Sequence, residues 1–273
     1  MFRNVYAGLR QRAAATEWIR DVYLAYNLAI SLFLRDLRGR YRRSMLGHAW
    51  AILQPLMFLG LWITIRSFFG IRDSKIPYPL LIFSGMIPWN FFQGIINGST
   101  PAIMNNAGII KKINIDREIF LIVNVLNMIF DMLMMILLFS LMLLFYRADI
   151  GLNLLWAPLY LLLMGLLGFA VGMFVSAFGI FKSDITMAFT YVLQIWMFLN
   201  PIIYSVESVP AKYRFLYYLN PTVPLIEGFR NSVVLNQGPD WIHLMSGVVF
   251  ILATLAIAWP LFRKRAAFFA DEL

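Results

Sequence analysis

The chain contains no cysteine and only two histidines, His48 and His243. The first absence excludes a disulfide framework, a thiolate metal site and a cysteine nucleophile. The second argues against a histidine metal cluster within one chain. Charge is also scarce. Asp, Glu, Lys and Arg together make up 14% of residues, where an ordinary soluble domain carries about 25%. None of Lys75, Lys111, Lys112, Lys182, Lys212 or Lys264 sits in a Gly-x-x-x-x-Gly-Lys-Ser/Thr loop, so that route to ATP is missing. Gly-x-Ser-x-Gly and His-Glu-x-x-His are missing too. Asp131, Glu207 and Glu227, the plausible catalytic acids, are scattered along the chain. The expectation is a protein that is not an enzyme, with no catalytic residues, cofactor or metal site of its own. A membrane-bound transferase acting on lipid-linked sugars is the enzymatic alternative, and it would need these acids brought together.

What the chain has is oil. Hydrophobic residues make up 61% of it, and the mean hydropathy is +0.73. A water-soluble fold of 273 residues could not hide so much apolar surface, so the solvent must be lipid. Six stretches approach the roughly 20 apolar residues that a spanning helix needs. They run over 49–65, 79–97, 119–146, 154–181, 185–204 and 242–262. The second is aromatic, and Gly85, Pro88 and Gly94 interrupt it. The expected fold is an all-α polytopic membrane protein with six transmembrane helices. Its parts would be a cytoplasmic arm over 1–48, a permease domain over 49–265 and a cytoplasmic tail over 266–273.

Six spans place both ends on one side, and the positive-inside rule says which. The arm, the 98–118 loop, the turn at Lys182 and the tail hold sixteen basic residues, and the opposite side holds seven. Both termini are therefore expected in the cytoplasm. The net charge of +9 fits topology and anionic lipid better than nucleic acid, and no nucleic-acid fold signature is present. The arm is no signal peptide, because nine basic residues come before the first long apolar run at Ala49. Trp18 to Leu37 suits an amphipathic helix in the headgroup region, with a seventh span as the alternative. Segment 205–241 is rich in Phe, Tyr and Leu but cut by Pro210, Pro221 and Pro224. That pattern fits short re-entrant helices between spans five and six, which must be buried in protein or line a wet cavity.

Asp131 is the one acid well inside a span, with Asn124 and Asn127 on the same helical face. The stripe could face a translocation path, or it could be a polar helix–helix contact that fixes packing. Trp89, Phe91 and Phe92 cluster after Pro88, and Trp196, Phe198 and Tyr204 lie late in the fifth span. Interfacial belts account for many such aromatics. Others could line a passage, where ring faces bind the C–H faces of sugars and leave the hydroxyls wet.

A series of local motifs then carries a resemblance. Arg35-Asp36-Leu37-Arg38-Gly39-Arg40-Tyr41-Arg42-Arg43-Ser44-Met45-Leu46-Gly47 is followed by Trp50 and Gln54-Pro55-Leu56. Gly85-Met86-Ile87-Pro88-Trp89-Asn90-Phe91-Phe92 comes next, then Asn106-Ala107-Gly108-Ile109-Ile110-Lys111-Lys112-Ile113 with Arg117-Glu118. Pro201-Ile202-Ile203-Tyr204, Val209-Pro210, Leu219-Asn220-Pro221 and Ile226-Glu227-Gly228-Phe229-Arg230 complete the series. From about residue 30 to 265 the chain resembles the membrane subunits of polysaccharide-exporting ABC transporters, a type-2 ABC exporter group that moves O-antigen, capsule and teichoic acid chains. It departs from that pattern at Asp116, at Lys182-Ser183-Asp184 and at Asn200.

The resemblance implies a permease in the bacterial inner membrane that exports lipid-linked polysaccharide. It would act as a pair of identical copies above a homodimeric nucleotide-binding ATPase that holds the ATP and Mg. O-antigen is favoured slightly; a capsule or teichoic acid exporter, or a small-molecule ABC exporter permease, remains open. The implied ATPase-coupling residues are Arg38, Arg40, Tyr41, Arg42, Arg43, Asn106, Lys111, Lys112 and Arg117. The implied translocation path holds Trp62, Trp89, Phe91, Phe92, Asp131, Trp196, Phe198 and Tyr204. Tyr213, Tyr217, Tyr218, Asn220, Glu227 and Arg230 would form an outer gate over 205–237. Arg35, Arg38 and Arg42 would meet the lipid pyrophosphate.

Overall fold

The computed structural model describes residues 23–40, 49–69, 76–112 and 115–273. The described residues are helical, with no strand among them. Helix α1 covers 23–40. It is followed by α2 (Trp50–Phe69), α3 (Tyr78–Met104), α4 (Ala107–Ile110), α5 (Glu118–Phe145), α6 (Ala157–Gly179) and α7 (Ser183–Phe198). Then come α8 (Ala211–Tyr218), α9 (Thr222–Val234), α10 (Trp241–Ala266) and α11 (Phe269–Glu272). A 3-10 turn, Leu152–Trp156, leads into α6.

Four helices are long and apolar enough to cross a membrane: α3, α5, α6 with its leading turn, and α10. The chain is membrane-integral. The expected first and fifth spans are shorter. The apolar part of α2 runs over Ile52–Phe68. Helix α7 has 16 residues, about 24 Å at 1.5 Å per residue, less than the roughly 30 Å hydrocarbon core. The expected fifth span to residue 204 ends early because Pro201 and a run of turns follow Asn200.

The second span corrects its sequence expectation. Gly85, Pro88 and Gly94 do not interrupt it, and α3 is one 27-residue helix with Pro88 and Pro101 inside. Burial explains this. Most of α3 lies inside the chain, whereas α5 and α10 leave most of their apolar surface outward. Neighbours on several sides hold α3 in register despite the two lost backbone donors.

The closest support comes from α6. Gly168 and Gly172 lie one turn apart on its α3-facing side. A Cβ on Gly168 would sit 3.2 Å from the Phe92 carbonyl oxygen and 3.3 Å from the Ile95 Cβ, and one on Gly172 would run into Ser99. Small residues let the two backbones approach where lipid supplies no hydrophobic drive between helices.

The two ends of the bundle differ. At the basic end, Ala29 and Leu32 of α1 pack with Ile103, Phe120, Phe262 and Phe269. There Arg263 Nε donates to Glu118 at 2.8 Å, and Arg265 lies 4.1 Å above the Phe178 ring. The segment after α10 packs back, since α11 buries Phe269 5.6 Å from the Phe262 ring centre. At the other end Trp156 and Trp241 meet edge-on at 5.3 Å. Asn153 Nδ2 donates to the Asn236 carbonyl at 2.7 Å, and Asn236 holds a positive φ of 50°.

A Cβ on Gly85 would come within 2.8 Å of the Ile202 Cα and 2.9 Å of the Arg230 guanidinium. Gly85→Ala is therefore expected to cost about 1–3 kcal/mol by overpacking. Gly60→Ala, with open space around it, should be near neutral or slightly stabilising in the same helical context. Thermal unfolding of the two purified variants, followed by tryptophan fluorescence, checks the contrast.

Candidate functional site

Between α2, α3, α5 and α7 lies a cavity of about 900 Å³. Helix α2 contributes Trp50, Gln54, Phe58 and Trp62; α3 contributes Asn90, Phe91, Gln93 and Asn97; α7 contributes Gln194 and Phe198. Met86, Met128, Met132, Met135 and Met197 fill the wall between them. The Trp62 ring meets Phe198 edge-on at 6.3 Å and Phe58 at 6.2 Å. The lining thus combines ring faces, amides and deformable thioethers.

The charged side chains among the described lining residues are Arg40 and Asp131. Arg40, the last residue of α1, donates from Nη1 to Asp131 Oδ2 at 2.6 Å, and each side chain is about a third exposed (30% and 32%). Asp131 stands midway along α5, where an unpaired carboxylate would be costly. Its other oxygen, Oδ1, is buried without a hydrogen-bond partner, as is the Trp62 indole N–H. The asparagine stripe has a different role. Asn124 donates to the Ile95 carbonyl at 2.8 Å, and Asn127 donates to the Val123 carbonyl at 3.0 Å. Both are buried against α3 or their own helix, so helix packing takes the asparagines while Asp131 faces the cavity.

The structure divides the expected path residues. Trp62, Phe91, Asp131 and Phe198 line this cavity. Trp89 and Phe92 do not, because both are fully buried and pack on Trp196 at 6.4 and 5.8 Å. Trp196 instead donates its indole N–H to Asn220 at 3.1 Å, and Tyr204 accepts from the Tyr217 hydroxyl at 2.9 Å. These contacts belong to the outer segment.

There the six expected gate residues are also divided. Tyr213 is exposed, and Lys212 lies 4.6 Å above its ring. Tyr217 bonds Tyr204 as above. Tyr218 donates to Glu227 at 2.6 Å, and its ring stacks on His243 at 3.9 Å. Asn220 donates to Asn200 Oδ1 at 3.2 Å and accepts from the Thr222 hydroxyl at 2.7 Å. Arg230 is 2% exposed. It donates to Ser84 Oγ at 3.0 Å, to the Leu81 carbonyl at 3.1 Å and to the Pro201 carbonyl. Arg230 is a buried tie between α9, α3 and the 201–202 turn. Asn200 and Thr222 were not singled out by sequence, although Asn200 was one of the departures.

Burial holds the Glu227 carboxyl above its ordinary value, against the opposing effects of the Tyr218 hydrogen bond, Arg230 and His243. Burial likewise raises the Tyr218 phenol, and its bond to Glu227 adds to the effect. Asp240 lies below the ordinary value. Its slight burial works the other way, but hydrogen bonds from His243 outweigh it.

The expected coupling residues lie apart. Arg38, Lys111 and Lys112 are exposed at the basic end. Asn106 is buried; it accepts from Arg35 at 2.9 Å and donates to the Ala102 carbonyl at 2.8 Å. Arg117 bonds the Ile115 carbonyl. Arg40 is engaged in the cavity instead. Arg35 also pairs with Asp36 at 2.7 Å. Tyr41, Arg42 and Arg43 lie outside the described residues.

The sequence profile of the ABC-2 type transporters matches residues 27–234. The chain belongs to the ABC-2 type transporter family. It is 23% identical over 262 residues to the O-antigen export system permease protein RfbA of Myxococcus xanthus, covering 93% of this chain and 98% of the relative. Identity to the protein of the same name from Klebsiella pneumoniae is 26%, over 91% of this chain and 95% of that one. The polysialic acid transport protein KpsM of Escherichia coli is also 26% identical, over 86% and 92% respectively. Within this ABC-2 chain, the matched region contains the cavity and its ion pair.

Two predictions follow from the site's electrostatics. Arg40→Gln leaves a lone carboxylate and should cost about 1–3 kcal/mol, between the exposed and buried limits for ion pairs. Adding Asp131→Asn should recover most of that loss in a double-mutant cycle read by thermal unfolding. Glu227, whose folded value is raised, keeps its proton to higher pH in the fold than in the unfolded chain. It therefore weakens the outer segment as pH climbs from the ordinary value of 4.5 through the folded one. Hydrogen exchange over 211–234, corrected for intrinsic rate, should show protection falling with pH across that window, and Glu227→Gln should flatten the trend.

Proposed function

We propose that this chain is the membrane subunit of an ABC transporter exporting lipid-linked polysaccharide, with O-antigen as the first candidate. The observation that carries the reading is the cavity, whose ring faces and amides suit a polyhydroxylated chain, in an ABC-2 protein. RfbA relatives from two organisms, matched over more than nine-tenths of this chain, support the same substrate class. The polysialic acid transporter among the relatives supports capsule polymer as the second reading.

In this reading α2 and α7 complete six spans, the shorter helices crossing where a second copy or a thinned bilayer shields their ends. Two copies face each other and close their cavities into one passage. The basic end, with both termini, lies in the cytoplasm of a bacterial inner membrane. ATP is hydrolysed by separate nucleotide-binding subunits seated there, and α4 with Lys111, Lys112 and exposed Arg38 offers them a contact. Helix α1 rests at the headgroup level, since Tyr23, Leu24, Tyr26 and Leu34 point outward. Arg38 and Arg42 meet the lipid pyrophosphate, while Arg35 is already held by Asp36 and Asn106. On the opposite side α8 and α9 dip toward the passage as its outer gate. The Asn200–Asn220–Thr222 network and the Trp196–Asn220 bond join that gate to α7.

The test is export in cells whose own copy is deleted. Trp62→Ala with Phe198→Ala strips two opposed rings from the cavity and should lower surface polymer by about tenfold while membrane levels of the chain stay normal. Lipid-linked polymer should accumulate on the cytoplasmic side. Undiminished surface polymer at normal protein level would remove the cavity from the path.

A further inference from the structure

We propose that the cavity selects an uncharged glycan and rejects a polyanionic one, with the Arg40–Asp131 pair as the discriminating element. This inference rests on the polysaccharide reading above and adds the charge class of the polymer.

The argument begins with the count of charges in the wall. Arg40 and Asp131 are the charged side chains among the described residues there, and a 2.6 Å contact joins them. The described lining therefore has no net charge. Among the described lining residues the one cation, Arg40, already faces the Asp131 carboxylate of α5. A glycan carrying a carboxylate or phosphate in each repeat would need a countercharge at every step of its passage. An anion approaching Arg40 meets the Asp131 carboxylate on the same guanidinium, which puts two anions close together. An electrostatic penalty of that kind is a standard means of excluding a wrong ligand.

A neutral glycan meets no such barrier. The Asp131 carboxylate, about a third exposed, keeps lone pairs beyond the one that Arg40 takes and can accept a hydroxyl proton without breaking that bond. Gln54, Gln93 and Gln194 line the same wall and make no hydrogen bond to another described residue, so both donors and acceptors are open to hydroxyls. Rings at Phe58, Trp62 and Phe198 supply faces for sugar C–H groups. Every one of these contacts is uncharged or already neutralised, which also lets a polymer slide without a deep electrostatic trap.

The test uses the full chain in nanodiscs of zwitterionic lipid, titrated with a neutral galactose oligomer and a sialic acid oligomer of equal length. Trp50 and Trp62 fluorescence reports occupancy. Wild-type protein should bind the neutral oligomer at least about tenfold more tightly. Asp131→Asn removes the neutralising carboxylate, gives the described lining a net positive charge, and should bring the two affinities within about threefold at low salt. Raising the salt should restore the difference. Equal or tighter binding of the sialic acid oligomer by the wild type would overturn the inference while leaving the polysaccharide reading intact. So would an Asp131→Asn protein, folded by its thermal transition, that discriminates as before. If the wild type binds neither oligomer, the polysaccharide path itself fails and this inference falls with it.

Discussion

Close backbone contact between α3 and α6 is the constraint on which the rest of this structure depends. Gly168 and Gly172 remove the side chains that would hold the two helices apart. The gain is dispersion contact and the shielding of α3 from lipid on that side. Once α3 is enclosed, its two prolines are tolerable, and α3 becomes the axis around which α5, α6 and α9 arrange themselves, with α10 packed on the outer side of α6 and α9. Gly85 repeats the device at the other end of α3, where it admits both the 201–202 turn and the Arg230 guanidinium. A polar outer segment is thereby tied to an apolar core by a buried cation whose Nε and Nη2 find a hydroxyl and carbonyls.

The same enclosure creates the cavity by leaving α2 and α7 loosely held on the remaining side. On α3, Trp89 and Phe92 pack on Trp196 as core, whereas Phe91, one position from Phe92, reaches the cavity wall. The remaining cavity walls come from the helices with few internal partners, α2 and α7. Their exposed apolar faces call for a further surface, and in a lipid solvent that surface is either hydrocarbon or a second copy. The Arg40–Asp131 pair links the end of α1 to the middle of α5. An event at the basic end therefore has a direct mechanical route into the cavity wall.

Much of this was legible in the sequence because hydropathy acts locally. Spans three, four and six were placed within a few residues, since each is a run of apolar residues that no internal packing need explain. The outer segment's division into short helices followed from its prolines. What misled was also local. Gly85, Pro88 and Gly94 read as interruptions because intrinsic propensity penalises them in a helix, whereas tertiary burial makes the small residues assets. The burial of Arg230 was not legible in the sequence, where arginines are usually exposed. Its burial depends on carbonyls contributed by residues about 30 and 150 positions away.

The sequence by itself determined the solvent, the helical class, the asymmetry of basic residues and the absence of an ATP-binding loop, because each of these is set by composition or by short-range order. Only the tertiary structure decided which aromatics face the cavity, that the charge at Asp131 is closed by Arg40 rather than by the asparagines on its own face, and that Asn200 and Thr222 join the outer helices to α7. Those outcomes depend on distances between segments far apart in the chain. Periodicity can say which residues share a face of one helix, but the partner across that face is fixed only when the helices pack.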